Sequence, residues 1–494
     1  MIVGAAIVLA LAVALTTYQW RFRGASITKS LSSIAVLPLD NLSGKPDQEW
    51  FSDGITESLI AELSKIRALK VISRTSVMQY KGARRPLPEI ARELGVEAIV
   101  EGSARLVGTR VLVTAQLIDA AADRHMWAQE YDRELSDVIS LQREVARTIA
   151  GEIRVALTPE ERDTLSRAHP VIPAAQEALL RGRSYFNLSS KDPENLRRAL
   201  ACFQDAARLD PEYAEARAWV AKTYGKLGNW GLMPQAEAFQ QSRDNALQAL
   251  ALDDRSAEAH KAIVWWHFTW QHDWPSAERE IQRALALDPN DDEALGYSAE
   301  WCSLMGRHDE AIRAAQRARE LAPTHMGRFS AVGMLQYFAH RFDDATATFQ
   351  AVLKREPGNL DALIYLWQIR YLTGAHAGLF ESWREVDRAD PAMTDADRSA
   401  IERAYQTGGW PAVFRGRIAW LSRRSATMSV ANASGWIALC HVLLGEYDKA
   451  FAQLEVCFRE HSSWMFQLQE PMWDPIRRDP RFKDLRRRLN LPEE

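Results

Sequence analysis

The sequence predicts a small α/β domain with a mixed sheet, followed by an all-α solenoid of helical hairpins, the whole preceded by an N-terminal transmembrane helix. Three observations carry this prediction. The first 20 residues are almost wholly apolar, residues 33–158 alternate short β-rich runs with amphipathic helices, and from residue 175 a short phrase recurs with a period near 34. A chain of 494 residues also exceeds what one hydrophobic core supports, so several units or a repeat array are required. With 61 basic and 65 acidic residues the net charge is −4, which gives no electrostatic footprint for nucleic acid. The four cysteines, Cys202, Cys302, Cys440 and Cys457, lack C-x-x-C spacing and read as small buried residues rather than a metal or redox pair.

Every residue from Met1 to Leu15 is apolar or glycine, and Thr16, Thr17, Tyr18 and Trp20 extend the stretch to residue 20. That makes about 30 Å of helix, enough to cross a bilayer, with Tyr18 and Trp20 where an interfacial aromatic belt forms. A cleavable signal peptide is the competing reading, but it starts with a basic region, and no basic residue precedes Leu15. Residues 1–20 are therefore expected to be an uncleaved anchor and residues 21–32 a linker. Arg21, Arg23 and Lys29 follow the span directly and argue for a cytoplasmic location of that side.

Within residues 33–158, Ile34 to Leu39 reads as a buried strand running into the turn Asp40-Asn41-Leu42-Ser43-Gly44. Asp53 stands as a candidate N-cap of a helix whose Ile55, Leu59, Ile60, Leu63 and Ile66 share one face. Leu69 to Ser73 is the next strand, and a short helix with Leu87, Ile90 and Leu94 stops at Gly95. Ala98 to Val107 and Arg110 to Asp119 form a hairpin through Gly108-Thr109, where glycine suits the positive φ of a II′ turn. A strand over Arg124 to Tyr131 and a helix with Val138, Leu141, Val145, Ile149 and Ile153 complete a βαβαβββα order. Asp53 and Glu57 lie four apart on one helix face, a spacing better explained by capping and the helix dipole than by paired-carboxylate chemistry. Ser43-Gly44-Lys45 lacks the rest of a phosphate loop and reads as a turn.

The stretches IAVLPLDNLSG, EWFSDGITESLIAELSKI, KVISRTSVMQYKG, ARELGVEAIVEGSAR and VTAQLIDAAADRHMWAQEYDREL resemble the TolB amino-terminal-like domain of bacterial membrane proteins, over nearly all of residues 33–158. The resemblance implies a domain that commonly follows a membrane span and precedes tetratricopeptide repeats, with a CadC-like winged helix or a class III adenylate cyclase domain often upstream. It implies no catalytic residues. It also favours the periplasmic side of the bacterial inner membrane over the cytoplasmic side that Arg21 and Arg23 suggest, and the periplasm is the expectation adopted.

The repeats close at Pro211, Asp254, Pro289, Pro323, Pro357 and Pro391, in the phrases ARLDP, LALDD, LALDP, RELAP, LKREP and DRADP. The period of 34 with a closing proline is the tetratricopeptide signature, one helix-turn-helix per repeat. Small residues recur on the second helix at Ala199, Ser242, Ala277, Ala311 and Ala345, and seven further on at Ala206, Ala249, Ala284, Ala318 and Val352, where they let helices approach closely. Nine extra residues before Asp254 are expected in the turn around 229–238. Leu379 and Trp383 make the repeat closing at Pro391 a looser hairpin, residues 394–425 read as a degenerate one, and GEYDKA at 445–450 restores a repeat. The array is thus assigned to residues 175–462, as seven or eight hairpins in a solenoid, and residues 463–494 to a C-terminal cap.

In tetratricopeptide proteins the first helix of each repeat lines a concave groove for peptides or protein segments. The groove positions map to Trp266, Trp270, Tyr337, Phe338 and Tyr371, with polar Lys222, Lys226, Glu300 and Gln368; the competing role for the aromatics is packing between repeats. No nucleophile, phosphate loop or metal-ligand spacing is recognisable, and His267 and His272 miss the helical i, i+4 pair. The expectation is a non-enzymatic, membrane-anchored scaffold or adaptor that binds a protein or peptide partner, with no nucleic acid and no cofactor. The alternative is the sensory or regulatory half of a CadC-like transcription regulator or class III adenylate cyclase whose effector domain lies elsewhere.

Overall fold

The structure, a computed structural model, describes residues 31–166, 172–190, 192–424 and 430–492. Among these residues no helix is long and apolar enough to cross a membrane; the span expected over residues 1–20 lies outside the described residues.

The α/β domain is built on strands β1 (Ser33–Val36), β2 (Asp40–Asn41), β3 (Lys70–Val71), β4 (Ala98–Val107), β5 (Arg110–Asp119) and β6 (Arg124–Glu134). The sheet order is β3-β1-β4-β5-β6, with β2 also on β4. Pairing is parallel through β3, β1, β2 and β4 and antiparallel from β4 to β6. Helices α1 (Glu49–Ser64), α2 (Arg74–Val77), α3 (Leu87–Leu94) and α4 (Val138–Glu152) complete the domain, and α5 (Pro159–Ser166) leads out of it. Alternation along β5 turns Val111, Val113, Ala115 and Leu117 into one core with Leu59 and Leu63 of α1 and Val145 and Ile149 of α4. Gly108 takes φ +62 between the paired Val107 and Arg110, as a II′ hairpin requires.

One local expectation is corrected. Helix α1 starts at Glu49, directly after a 3-10 turn over Pro46–Gln48, so Asp53 sits inside the helix rather than capping it. Its carboxylate faces Lys81 Nζ at 2.7 Å, and Glu57, one turn on, pairs with Arg74 at 3.0 Å. The proline-initiated turn starts the helix one turn earlier than the hydrophobic face alone indicates.

The array consists of the hairpins α6 (Pro173–Leu188)/α7 (Glu194–Leu209), α8 (Ala214–Asn229)/α9 (Gln235–Leu252), α10 (Ala257–Trp266)/α11 (Trp274–Leu287), α12 (Asp292–Leu304)/α13 (His308–Leu321), α14 (Met326–Phe338)/α15 (Phe342–Arg355) and α16 (Leu360–Leu372)/α17 (Leu379–Ala389). A long segment, α18 (Asp395–Arg424), breaks at Gly409, where φ is +60, so it is itself two helices. Hairpin α19 (Val430–Leu443)/α20 (Tyr447–Arg459) and a tail ending in α21 (Pro480–Arg488) follow. Ala199, Ala277, Ala311 and Ala345 are wholly buried, as are Phe203 and Phe349 between the small positions. The large rings fit because the facing helix carries glycine: a Cβ on Gly182 would lie 2.5 Å from Phe203, and one on Gly333 2.8 Å from Phe349.

The nine extra residues of the second hairpin are not confined to its turn. Against the α12/α13 hairpin, α8 is longer by three residues, the turn by two and α9 by four. The tail also departs from a simple end cap. Trp274 Nε1 donates to the carbonyl of Leu489 at 2.9 Å, Gln469 Nε2 to that of Leu304 at 3.3 Å, and Gln368 Nε2 to Glu470 Oε1 at 2.7 Å. The tail therefore runs back over the middle repeats, from Gln368 of α16 past the end of α12 to Trp274 at the start of α11. Buried Trp464, Phe466, Met472 and Trp473 merge with those repeats in one core.

Candidate functional site

The α/β domain docks into the array through the turns that close two repeats. Asn290, after the closing Pro289, is buried, and its Nδ2 lies 2.9 Å from the carbonyl of Ser64, 2.8 Å from that of Leu69 and 3.3 Å from that of Ile66. Its Oδ1 faces the amide of Val71 at 3.4 Å. Asp288 Oδ2 lies 2.7 Å from Ser64 Oγ, the amide of Ser73 donates to the carbonyl of Leu321 at 2.8 Å, and that of Thr324 to Ser76 Oγ at 3.3 Å. Ser64 Oγ also lies 2.9 Å from the carbonyl of Ala61. A hydroxyl has one proton for these two oxygens, so both contacts are satisfied at once when Asp288 carries a proton. Burial, with Asp291 nearby, pushes the Asp288 carboxyl up to about 7. On the other side of the interface Leu180 of α6 enters the core of the α/β domain, and Arg183 Nη1 donates to Ser58 Oγ at 3.2 Å.

Between the docked surfaces lies a cavity of about 1570 Å³. One wall is α1, α2 and α4 of the α/β domain, and the other is the row of first helices α6, α8, α10, α12 and α14. Its floor is an ion network spanning three repeats. Lys222 on α8 lies 3.0 Å from Glu258 and 2.7 Å from Glu293, while Lys261 on α10 lies 2.9, 2.5 and 3.0 Å from Glu258, Asp291 and Glu293. Burial opposes charge on Lys222 and Lys261, yet the carboxylates outweigh it and raise both pKa values. Burial likewise opposes charge on Glu293, and the two lysines hold its carboxyl well below the usual range. The network sets two ammonium groups against three carboxyls, and burial raises the carboxyl of Asp291.

Two lining ions differ. Lys226, one turn beyond Lys222, has Ser189 Oγ at 3.0 Å and the rings of Phe186 and Trp230 at 4.3 and 4.7 Å; burial, reinforced by Lys222, lowers its pKa to about 8. Glu300 on α12 is half-buried, and burial alone pushes its carboxyl up to about 7.

Of the residues mapped from sequence, the structure brings Lys222, Lys226 and Glu300 together in this cavity. The others lie elsewhere. Gln368 is buried against Glu470 of the tail. Tyr337 and Phe338 are buried in the core of the array, and Tyr371 packs at 5.4 Å on Trp367 and 6.4 Å from Phe414. Trp266 and Trp270 are half-buried: the ring of Trp266 lies under Arg243, and that of Trp270 lies 3.7 Å from the His461 ring and 6.3 Å from Phe239. The cavity wall on α10 is instead Trp265, rotated by about 100° from its neighbour on a 3.6-residue helix. Counting eleven residues from each closing residue reaches Lys222, Trp265 and Glu300 alike, a signal that finds this wall. Asn290 and the α/β wall carry no repeat signal, since their partners come from another domain, and Lys261 lies off the eleven-residue count although its partners Glu258, Asp291 and Glu293 belong to the repeats.

Residues 271–325 match the family model of the tetratricopeptide repeat. Over 244 residues the chain is 37% identical to putative adenylate cyclase 3 of Rhizobium meliloti (strain 1021), a match covering 48% of this chain and 39% of that protein. Hsp70-Hsp90 organizing protein 2 of Arabidopsis thaliana is 29% identical over 96 residues, 19% of this chain and 17% of its own length. The chain thus spans well under half the length of these relatives. Among solved structures it is similar to PilW, a type IV pilus biogenesis factor (18% identity, 46% of this chain and 99% of PilW, TM-score 0.37), and to a thermophilic tetratricopeptide-repeat protein of Thermus thermophilus (22% identity, 40% and 98%, TM-score 0.32).

Proposed function

We propose that this chain is a non-enzymatic interaction scaffold of the bacterial inner membrane that takes a peptide segment of a partner protein into the cavity between its α/β domain and its tetratricopeptide repeats. In this reading residues 1–20 are the anchor, the α/β domain is TolB-like, and the bulk of the chain is periplasmic. The observation that carries the binding role is the cavity itself. Its walls come from the first helices of five consecutive hairpins, and its lining combines the aromatic Trp219, Trp265 and Tyr297 with Lys226 and Glu300, the mix of anchors and orienting polar groups that recognition uses.

The test is capture of a partner from detergent extract of the host by the full-length chain. A protein retained by the wild type and lost on Lys226→Ala with Trp265→Ala, at unchanged melting temperature, supports the reading. Capture indifferent to both substitutions rejects it. Retention of the chain in membranes after carbonate washing tests the anchor separately.

The second reading is the regulatory half of a nucleotide cyclase or CadC-like regulator, favoured by the 37% identity with a protein named putative adenylate cyclase. Coding sequence for such an effector domain joined to or beside this chain supports it, and cyclic nucleotide output that changes when the cavity is altered would separate it from the scaffold.

A further inference from the structure

We infer that Glu300 is the receptor for a basic side chain, arginine or lysine, carried by the peptide that enters the interdomain cavity. The inference rests on the peptide-binding reading and gives it a chemistry. Eleven residues after Pro211, Asp254, Pro289 and Pro323 stand Lys222, Trp265, Glu300 and Met334, and all four line the cavity. At this level Lys222 is neutralised by Glu258 and Glu293. Glu300 stands between the Trp265 and Met334 positions and makes no hydrogen bond or ion pair among the described residues.

The neighbouring charges are all committed elsewhere. Along α12, Glu293, Tyr297 and Glu300 share one face, being four and seven residues apart. Tyr297 Oη donates to Glu293 Oε1 at 3.1 Å and accepts from Trp265 Nε1 at 3.0 Å, which leaves no phenolic proton for Glu300. On α10, Lys261 pairs with Glu258, Asp291 and Glu293. Before and on α14, His325 is held in its neutral form by burial, and Arg328 lies 2.8 Å from Asp292. From the α/β wall, Arg74 pairs with Glu57, and Lys65 and Arg143 face Glu62.

A desolvated carboxyl without a counter-ion is costly to ionise, and a cation arriving beside it offsets that cost. Trp265 and Tyr297 line the same cavity, and aromatic rings in such a lining suit a guanidinium or alkylammonium group through cation–π attraction. An acidic ligand finds less: Lys222 and Lys261 are already neutralised, and Lys226 rests on two aromatic rings.

The experiment is calorimetric titration of the full-length chain with the peptide Ac-Ala-Arg-Ala-NH2 and with its citrulline counterpart, which keeps the shape and loses the charge. The arginine peptide should bind at least tenfold more tightly, and Glu300→Gln should erase the difference. Because Glu300 must ionise to receive the cation, affinity for the arginine peptide should rise roughly tenfold from pH 6 to pH 8, and E300Q should flatten that profile. The melting temperature of E300Q at pH 8 should be no lower than that of the wild type, since a desolvated carboxylate is removed; if E300Q does not fold, Glu300→Asp serves, with a weaker but still pH-dependent preference. No binding of the arginine peptide, equal affinity for the two peptides, or a preference that survives in E300Q overturns the inference. A partner captured equally by wild type and E300Q overturns it while the scaffold stands. A charge-selective peptide site with no partner protein recovered supports it and removes the scaffold.

Discussion

The two halves of the repeat array use one helical plan to opposite ends. In the first five hairpins residues of the first helices line a cavity floored by ions and faced by the α/β domain, whereas from the third hairpin onward the array is also packed by the tail, with Phe466 on Phe268 and Trp274 and with Trp464 on Trp436. Gln368 on α16 and Glu300 on α12 occupy equivalent positions eleven residues after a closing proline. One is buried on Glu470 and the other lines the cavity. What a groove residue does is thus decided by what stands opposite it, because a helix face is satisfied either by packed side chains or by solvent and ligand.

That contrast can be broken most strongly from the filled side. Trp473 is wholly buried, so Trp473→Ala should cost about 4 kcal/mol, with fast hydrogen exchange through residues 430–492 and an unchanged sheet. Equal loss of protection in both halves would mean that the array melts as one unit. Next comes the docking of the α/β domain. Asn290→Asp keeps the shape but replaces a donor by an acceptor against three carbonyls, at a cost of about 3 kcal/mol. Limited proteolysis should then cut between the domain and the array, while circular dichroism keeps its helical signal.

Acidity acts on both halves in the same direction. Burial raises the carboxyls of Asp288 and Glu300 to about 7 and that of Glu470 to about 8. A carboxyl raised on folding stabilises fully below its unfolded pKa, and that contribution is lost as pH rises through the folded value. Melting temperature should therefore fall between about pH 5 and pH 8 on account of these groups, and Asp288→Asn should flatten the curve near pH 7; a melting curve that rises steadily to pH 8 contradicts this. The smallest effect is expected at the half-buried pair formed by the last residue of α10, Trp266, and Trp270 just beyond it. Trp266→Ala and Trp270→Ala should each cost about 1 to 2 kcal/mol through lost packing. Partner capture that weakens with no change in melting would instead assign these rings to binding.

Much of the architecture was legible in the residues. Pro211, Pro289, Pro323 and Pro357 announce the repeat ends, the alanines of the second helices announce close packing, and Val111 to Leu117 alternate onto a core face. These are local signals, because a helix or strand period is written into one short segment. The groove was harder to read. A register error of one residue exchanges Trp265 for Trp266, and hydrophobicity cannot distinguish an aromatic that lines a cavity from one that packs on His461.

The sequence by itself determined the hairpin repeat, the presence of polar residues on the first helices, and the mixed sheet with its longer strands and helices, though not the short β2 and α2, since periodicity and turn chemistry act over a few residues. Only the tertiary structure decided that Asn290 would hold the end of α1, that the tail would return to Trp274 and Gln368, and that Lys222 would be paired with Glu258 and Glu293 while Glu300 has no partner among the described residues. Those outcomes depend on groups tens to hundreds of residues apart, whose meeting is set by the curvature of the whole array and leaves no mark in any single segment.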